Sequence, residues 1–261
     1  MQRMHLFELH DLAGFPAVWR DLLTDFLSFY AARFKPYAAV APILAEALQH
    51  HGSGRIVDLC SGAGQPVLSL GPPLRVIGVT ELEIVLTDRF PNVAAWVDLE
   101  QDPDVAVSYE TEPVDATDVP AHLLGFRTLF TSFHHFAPEA ARAVLSDSVK
   151  KQQGIGLFEY TERNWLIWTV PVVLIPLFVW VCTPFIRPFS FRRLLWTYLL
   201  PVVPIVAMWD GLVSCLRTYS LEELRDLVGG LEDSTYRWDV GMVRSVGFSR
   251  VTFAVGVPSR G

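Results

Sequence analysis

An apolar strand that runs into an acidic, glycine-containing turn is the part of this sequence that points most directly to chemistry. Residues 56–66 read Ile-Val-Asp-Leu-Cys-Ser-Gly-Ala-Gly-Gln-Pro, so Asp58 ends the strand and Gly62 and Gly64 follow it. A carboxylate accepts hydrogen bonds from a ligand, and glycines let the backbone approach a ligand that a Cβ atom would repel. The pattern predicts the cofactor loop of a nucleotide-binding domain, although an ordinary tight turn has the same composition.

Four more polar side chains follow predicted strands, each where an apolar run ends. They are Asp88 after 82–87, Asp115 after Val114, His134 after 128–133 and Glu159 after 155–158. The carboxyl ends of parallel strands meet at one edge of a sheet, and ligands of such sheets bind there. We therefore expect these side chains to lie around one site with Asp58.

The elements that must position these residues alternate between strands and helices. Residues 138–150 begin with proline and are rich in alanine, which predicts a helix, and Leu221–Val228 reads as an amphipathic helix after a Ser220–Glu223 capping box. Tyr236–Val243 and Ser249–Val257 predict an antiparallel pair at the sheet edge. The alternation indicates a parallel sheet with helices on both faces.

Composition excludes several classes of partner. A formal net charge of −7 argues against nucleic acid, which requires a basic face. Hydrophobic residues make up 51% of the chain, and the mean hydropathy of +0.31 indicates apolar surface that meets lipid. The three cysteines are far apart, so neither a disulfide framework nor a metal site is expected. This use of cysteine predicts a reducing compartment. The N-terminal residues have no apolar core of signal-peptide length, so we do not expect export.

The spacing of the glycines narrows the class of ligand. A dinucleotide-binding loop requires a third glycine where this chain has Val67, and the Gly-Lys-Ser/Thr of a phosphate loop is absent. A nicotinamide-dependent oxidoreductase therefore stays only as a weaker alternative.

These residues resemble the class I S-adenosylmethionine-dependent methyltransferases, over roughly His50–Glu162 and again from about Asp210. The matching pieces are Val57–Gly64, Leu86–Asp88, Val114–Ala116, Phe130–Phe136 and Leu157–Glu159. The resemblance implies an α/β, Rossmann-like three-layer sandwich with a mostly parallel seven-stranded sheet, helices on both faces and an antiparallel last strand. The chain departs from the family at Cys60, where the family has its first glycine.

The resemblance also implies S-adenosylmethionine as cofactor and assigns residues to it. Asp58 and the backbone of Cys60, Gly62 and Gly64 would hold the methionine end. Asp88 would take both ribose hydroxyls, with Glu81 as a rival for that role. Asp115 would bind the adenine amino group, with the Ala116 amide facing the ring. Arg89 and Ser132 complete the predicted cofactor contacts.

Methyl transfer to a hydroxyl needs positioning and removal of a proton. His134 or His135 is the expected general base, because imidazole titrates near neutral pH; the alternative is a pair that only packs around the cofactor. Glu159 and Arg163 are expected to orient the acceptor, or else to form a surface ion pair. Arg217 and Tyr219, like Asp210, are candidate acceptor contacts, with structural pairing as the alternative.

An apolar insert, Trp165–Trp209, interrupts the pattern as a hydrophobic helical hairpin. Trp165–Ile186 has 22 residues without a charge, and three arginines separate it from Leu194–Trp209. Both ends of the insert join the catalytic domain, so a two-span hairpin would place the arginines outside, against the positive-inside tendency. Prolines at 171, 176, 184, 201 and 204 also interrupt helix. A shallow or re-entrant membrane-dipping hairpin is therefore preferred, with a two-span hairpin or a buried lid or oligomerisation arm as alternatives.

The sequence thus predicts four segments: a helical lid at 1–50, a cofactor-binding core at 51–164, the insert at 165–209 and the rest of the core at 210–261. We expect a methyltransferase on the cytoplasmic face of the inner (plasma) membrane that O-methylates a lipophilic or membrane-presented small molecule by in-line methyl transfer. Self-association through the insert is a further expectation. The alternative of another class is a membrane-anchored S-adenosylmethionine sensor or scaffold without turnover.

Overall fold

The computed structural model of the protein describes residues 2–12, 14–97, 99, 105–164, 170–231, 235–247 and 249–259. The chain forms two compact units. The sheet unit comprises Phe34–Tyr160 and Tyr219–Gly261, and the helical unit comprises Met1–Arg33 and Thr161–Thr218. These limits differ from those of the four segments predicted from sequence, whose roles as lid, core and insert stay predictions.

The sheet unit contains one seven-stranded sheet. Its strands are β1 Arg55–Asp58, β2 Glu83–Leu86, β3 Ala106–Tyr109, β4 Phe126–Phe130, β5 Ile155–Glu159, β6 Tyr236–Arg244 and β7 Arg250–Pro258. Their order is β3-β2-β1-β4-β5-β7-β6. The first five strands of the chain are parallel to one another, and β7 is antiparallel to its neighbours β5 and β6. The predicted mostly parallel sheet with an antiparallel last strand is confirmed.

Helices of the sheet unit cover both faces of this sheet. The α-helices of the described chain are α1 Ala17–Phe34, α2 Ala41–His51, α3 Gln65–Leu68, α4 Gly71–Val76, α5 Val93–Trp96, α6 Pro138–Lys150, α7 Ile175–Cys182, α8 Phe191–Leu194, α9 Val202–Arg217 and α10 Leu221–Gly229. Alternate residues of a strand face opposite sides, so Ile56 packs with α2 and α4 whereas Val57 packs with α6 and α10. The two apolar layers hold the carboxyl ends of β1, β2, β4 and β5 along one edge.

Two strand ends differ from the prediction. Val114–Asp118 is a loop and not the end of a strand, because β3 already ends at Tyr109. Pro113 has no N–H to donate, and the Val114 N–H instead bonds the Asp88 carbonyl at 2.9 Å. The fourth strand ends at Phe130, three residues earlier than predicted, since Thr131 takes a left-handed φ of 44° that no strand continues.

The helical unit is built on α1, α7 and α9, whose apolar side chains share one core. That core includes Leu22, Phe26, Val179, Val203 and Val206. Proline-rich sequence breaks its helices: Val170–Leu174 and Leu195–Leu199 are single π-helical segments and Thr183–Phe185 is a 3₁₀ turn. The sequence predicts that prolines interrupt the helices of the insert, and the irregular segments of its described part agree with that prediction. Residues 165–169 lie outside the described residues.

No single helix of the described chain is long and apolar enough to cross a membrane. The pair Phe191–Leu199 and Val202–Arg217 passes by length and composition together, but it is bent by 72°.

Candidate functional site

Asp58 lies at the carboxyl end of β1, and its side chain is almost fully buried in the sheet unit. Oδ1 accepts a hydrogen bond of 2.6 Å from the Thr128 hydroxyl, which the strand register places directly beside it. The Asp58 carbonyl accepts hydrogen bonds from the Ser61 and Thr87 hydroxyls at 2.8 and 2.9 Å. Thr128 thus fixes the orientation of the carboxylate, and the Ser61 and Thr87 hydroxyls fix the backbone at the end of β1.

Burial is the largest influence on the acidity of this carboxyl. It raises the pKa of Asp58 to about 7, against the lowering effect of the Thr128 and Ser61 hydrogen bonds, and the nearby Asp88 raises it further. A cation placed against Asp58 would relieve this penalty, since it favours the ionised form. S-adenosylmethionine carries positive charge on both its sulfonium and its amino group.

The turn after β1 leaves room for a ligand beside its backbone. Gly62 and Gly64 take left-handed φ angles of 55° and 81°. A Cβ atom at Gly62 would have no neighbour within 4 Å, whereas one at Gly64 would lie 2.9 Å from Leu86. The Gly62 carbonyl accepts a hydrogen bond of 2.9 Å from the buried Trp96 indole, which holds the turn from one side.

Cys60 is the irregular member of this turn. Its φ of 56° is left-handed although it has a Cβ atom, which is a strained conformation. Burial and three neighbouring carboxylates raise the pKa of its thiol. The thiol therefore stays protonated at neutral pH, and Cys60 contributes backbone shape to the site and no nucleophile.

We expect Cys60→Gly to unfold with a free energy about 0.5–1 kcal/mol higher than Cys60→Ala, since only glycine takes a left-handed φ without strain. At an ordinary position the order is the reverse, because glycine loses more entropy on folding. Urea denaturation of both variants measures the difference. An alanine variant at least as stable as the glycine variant contradicts a strained turn.

Asp88 follows β2 and faces the same turn. Its Oδ2 accepts the Gly62 N–H at 3.0 Å and its Oδ1 accepts the Phe90 N–H at 2.9 Å. Burial raises the pKa of Asp88, and these N–H groups lower it in part. A carboxylate has about four lone-pair sites, so each oxygen keeps one for a ligand hydroxyl.

Glu81, the rival for the ribose role, lies at the opposite edge of the sheet. It precedes β2 by two residues and is exposed, and the register pairs the start of β2 with the start of β1. Asp88, two residues beyond the end of β2, is therefore the acid that shares an edge with Asp58.

Asp115 lies in the exposed loop after β3 and makes a local turn. Its Oδ1 accepts the Thr117 N–H and hydroxyl at 2.8 and 2.6 Å, and these bonds hold the pKa of Asp115 below its ordinary value. Ala116 is buried in the core layer beneath. The Arg89 guanidinium favours the ionised form of Asp115, which places the charges of these two predicted cofactor residues near one another.

The segment after β4 is held by a cluster of hydroxyls. The Thr131 hydroxyl shares a hydrogen bond of 2.5 Å with Tyr37 and accepts the Tyr160 N–H at 2.9 Å. The next residue, Ser132, is buried, and its carbonyl accepts the His135 N–H. This arrangement fixes the short 3₁₀ turn Phe133–His135 that carries both histidines.

Glu159 and His134 form a buried pair at the ends of β5 and β4. Glu159 Oε2 lies 2.8 Å from His134 Nδ1, and Oε1 accepts the Phe133 N–H at 2.8 Å. Burial alone would raise the pKa of Glu159, but the two histidines and this N–H outweigh it and lower the pKa. The ionised carboxylate keeps the His134 proton on Nδ1 and turns Nε2 away from Glu159.

His135 differs from His134 in its surroundings. Its ring centroid is 4.4 Å from that of His134, but its side chain is only partly buried. The protonated form of His135 would favour the ionised forms of both Asp88 and Glu159. The Glu159 carboxylate fixes the orientation of the His134 ring.

The predicted acceptor contacts fall in both units. Tyr219, in the sheet unit, donates a hydrogen bond of 2.7 Å to the Phe136 carbonyl and packs on Phe133, so it supports the histidine turn. Arg163 and Arg217 belong to the helical unit. There the buried Arg217 pairs with Glu8 and Asp11.

Asp210 has a similar structural role in the helical unit. It accepts the Leu9 N–H at 2.6 Å and contacts His10 Nδ1 at 2.9 Å. The pairing alternative is therefore observed for Asp210 and Arg217, while the contacts with an acceptor stay a prediction for Arg163, Arg217 and Tyr219.

Several side chains of the site were not predicted from the sequence. They are Tyr37, Ser61, Thr87, Trp96, Thr128 and Thr131. Thr128 had a detectable signal, since a hydroxyl in a neighbouring parallel strand faces a strand-end acid. Trp96 had none, because its contact depends on how α5 packs.

Comparison with known proteins identifies the fold. No family model matches the chain, and no curated protein matches its sequence. Among solved structures, the plantazolicin methyltransferase BpumL in complex with SAH matches with a TM-score of 0.55 at 12% identity, over 93% of this chain and 96% of that chain. BpumL in complex with a monoazolic desmethylPZN analog and SAH gives 0.51 at 9% identity, over 93% and 98%. At such identities the likeness shows the fold alone, which is the seven-stranded Rossmann-like methyltransferase fold.

Proposed function

We propose that the protein transfers a methyl group from S-adenosylmethionine to an oxygen atom of a lipophilic small molecule. The observation that carries the proposal is the position of Asp58, Asp88 and Glu159 at or just beyond the carboxyl ends of β1, β2 and β5, along one sheet edge. Their carboxylates differ in state. Asp58 is costly to ionise, Asp88 keeps lone pairs for a ligand, and Glu159 is paired with His134.

The residues present fit the cofactor. The open space beside Gly62 accepts a ligand next to the backbone, and the buried Asp58 carboxylate gains from a cationic group. Asp88 has the lone pairs for two ribose hydroxyls, and the Asp115 loop lies beyond β3 for the adenine end. BpumL binds SAH in both of its structures, which is consistent with this placement.

The chain's own residues would handle a proton. S-adenosylmethionine supplies an activated methyl group, so a hydroxyl acceptor must lose its proton as the methyl arrives. His134 is proposed as the base, because Glu159 fixes its tautomer and stabilises the cation that it becomes. His135 and Ser132 lie in the same segment as His134 and would line the site beside it. Base catalysis favours an oxygen acceptor, and the apolar composition of the insert favours a lipophilic one.

Cofactor binding tests the first half of the proposal. We expect calorimetry to show saturable binding of S-adenosylmethionine, weakened at least about tenfold by Asp88→Ala, because two hydrogen bonds to a charged acceptor are lost. Glu81→Ala, which removes an acid at the other sheet edge, is the matched control and should bind like wild type. Equal binding by wild type and Asp88→Ala would sink the cofactor assignment.

Turnover tests the second half. Protein incubated with isotopically methyl-labelled cofactor and a membrane extract should release S-adenosylhomocysteine and place the label on an oxygen of an extractable compound, read by mass spectrometry. Binding without release under these conditions would leave a cofactor-binding protein and remove the methyl transfer. Competition by a nicotinamide dinucleotide at the same site would instead support an oxidoreductase.

A further inference from the structure

The insert exposes an unusual density of aromatic and apolar side chains next to arginines. Phe189 and Phe191 are 55% and 80% exposed, and their rings pack edge to face at 5.0 Å. Arg187 and Arg192 beside them are also exposed. We call Phe185, Arg187, Phe189, Phe191, Arg192 and Leu199 the insert surface.

A buried arginine fixes the shape of this surface. Arg193 donates to the carbonyls of Ile186 and Pro188 at 3.1 and 2.8 Å, and it also pairs with Asp25 of α1. These bonds hold the turn between α7 and α8 to the core of the helical unit. The neighbouring Arg187 and Arg192 therefore stay on the outside, among the phenylalanines.

A second pair of aromatic residues lies further along the same unit. Trp180 and Tyr198 are 46% and 44% exposed, with ring centroids 6.2 Å apart, and the Tyr198 hydroxyl donates to the Trp180 carbonyl at 2.6 Å. Tryptophan and tyrosine with one apolar and one polar side are enriched where lipid tails meet headgroups.

The charge of this region is opposite to that of the chain. Between residues 164 and 209 there are three arginines and neither aspartate nor glutamate, in a protein whose formal net charge is −7. A cationic, aromatic surface is complementary to an anionic bilayer. It is not complementary to a second copy of itself, because a twofold contact would bring the exposed Arg187 and Arg192 against their own copies. The insert has no acid to pair them, and Asp25 of α1 already pairs with Arg193.

We propose that the insert surface docks in the plane of a bilayer whose headgroups are anionic. The phenylalanines enter the headgroup–acyl boundary and the two arginines pair with lipid phosphates. This docking goes beyond methyl transfer and does not require the cofactor, although it would bring a lipophilic acceptor to the protein.

Co-sedimentation of the full chain with vesicles tests the docking. We expect wild type to bind vesicles of phosphatidylcholine with about 30 mol% phosphatidylglycerol more tightly than phosphatidylcholine alone, and to lose that preference as NaCl rises from about 0.1 to about 0.5 M. Arg187→Gln with Arg192→Gln should weaken binding to the anionic vesicles by about 25-fold, at about fivefold for each arginine. Binding to neutral vesicles should change little.

Matched control variants test whether vesicle binding depends on the insert surface or on exposed arginines and apolar side chains anywhere in the protein. Arg225→Gln with Arg237→Gln removes two exposed arginines of the sheet unit and should bind like wild type. Phe189→Ser with Phe191→Ser should lose at least about tenfold on both vesicle types, whereas Val76→Ser with Leu124→Ser, two exposed apolar residues of the sheet unit, should not.

Three outcomes would overturn the docking. Wild type could bind both vesicle types equally, or an insert double variant could bind like wild type. Sedimentation velocity could instead show a dimer that buries the insert surface and does not bind vesicles. Both insert variants change exposed side chains, and thermal unfolding with wild-type midpoints verifies their fold. Vesicle binding is measured without cofactor, so its failure leaves the proposed methyl transfer intact, and failure of cofactor binding leaves the docking intact.

Discussion

Asp58→Asn is expected to stabilise the ligand-free protein at pH 8 while removing its ability to bind S-adenosylmethionine. Burial raises the pKa of Asp58 from 3.8 to about 7. At about 1.4 kcal/mol for each unit, ionising this carboxyl in the fold costs up to about 4 kcal/mol at pH 8. Asparagine avoids that cost and keeps an oxygen for the Thr128 hydroxyl, but it offers no charge to a cationic ligand.

The sign of this effect depends on pH. A carboxyl with a raised folded pKa contributes stability below its unfolded pKa of 3.8, and that stability is lost as pH rises toward about 7. The advantage of Asp58→Asn should therefore be absent below about pH 4, grow through pH 5 and 6, and level off above about pH 7. Guanidinium denaturation across this pH range measures the free energy of unfolding, and calorimetry measures the binding of S-adenosylmethionine.

Asp115→Asn is the matched control with the opposite sign. Hydrogen bonds from Thr117 lower the pKa of Asp115, so its contribution is present above pH 3.8 and is lost on acidification. This variant should be slightly less stable than wild type at pH 8. An Asp58→Asn variant that is no more stable than wild type at pH 8 would show that ionising Asp58 does not destabilise the folded protein.

Glu159→Gln is expected to lower kcat by about 100-fold or more while the affinity for S-adenosylmethionine stays within about threefold. A positioned base contributes about 10²–10⁴ to such a rate. Glutamine keeps an acceptor for His134 Nδ1 but removes the charge that favours the imidazolium form. The kcat–pH profile should therefore also shift, with its rising limb at lower pH than in wild type.

The two histidines provide the comparison that assigns the base. His134→Gln should lose as much rate as Glu159→Gln, and the double variant should lose little more, because the pair acts as a unit. His135→Gln should retain more activity than His134→Gln. Full activity of Glu159→Gln with an unshifted profile, or a larger loss at His135, would exclude the assignment of His134.

The core of the fold could be predicted because its signals are local. Pro138 marks the first turn of α6 and alanines follow, so the predicted and observed limits of that helix coincide. The Ser220–Glu223 capping box likewise marks the start of α10 and is observed. The strand-end acids Asp58 and Glu159 were placed correctly, since a change from apolar to acidic marks the end of a buried strand.

The remaining features depend on contacts distant in sequence. The apolar Val114 before Asp115 predicts a strand end, but the Val114 N–H bonds the Asp88 carbonyl in a loop. The prolines of the insert predict that its helices are interrupted, but they do not predict the 72° bend between Phe191–Leu199 and Val202–Arg217. The orientation of Asp58 requires Thr128, 70 residues away, so no local pattern contains it.

The Gly62 peptide is held on both sides within the sheet unit. Its carbonyl accepts the Trp96 indole N–H and its N–H is bound by Asp88. Folding has therefore already met the entropic cost of ordering this turn, which a flexible loop would meet only during association. Recognition here is close to lock-and-key: we expect association in one kinetic phase, with affinity differences between cofactor analogues appearing mainly in their residence times.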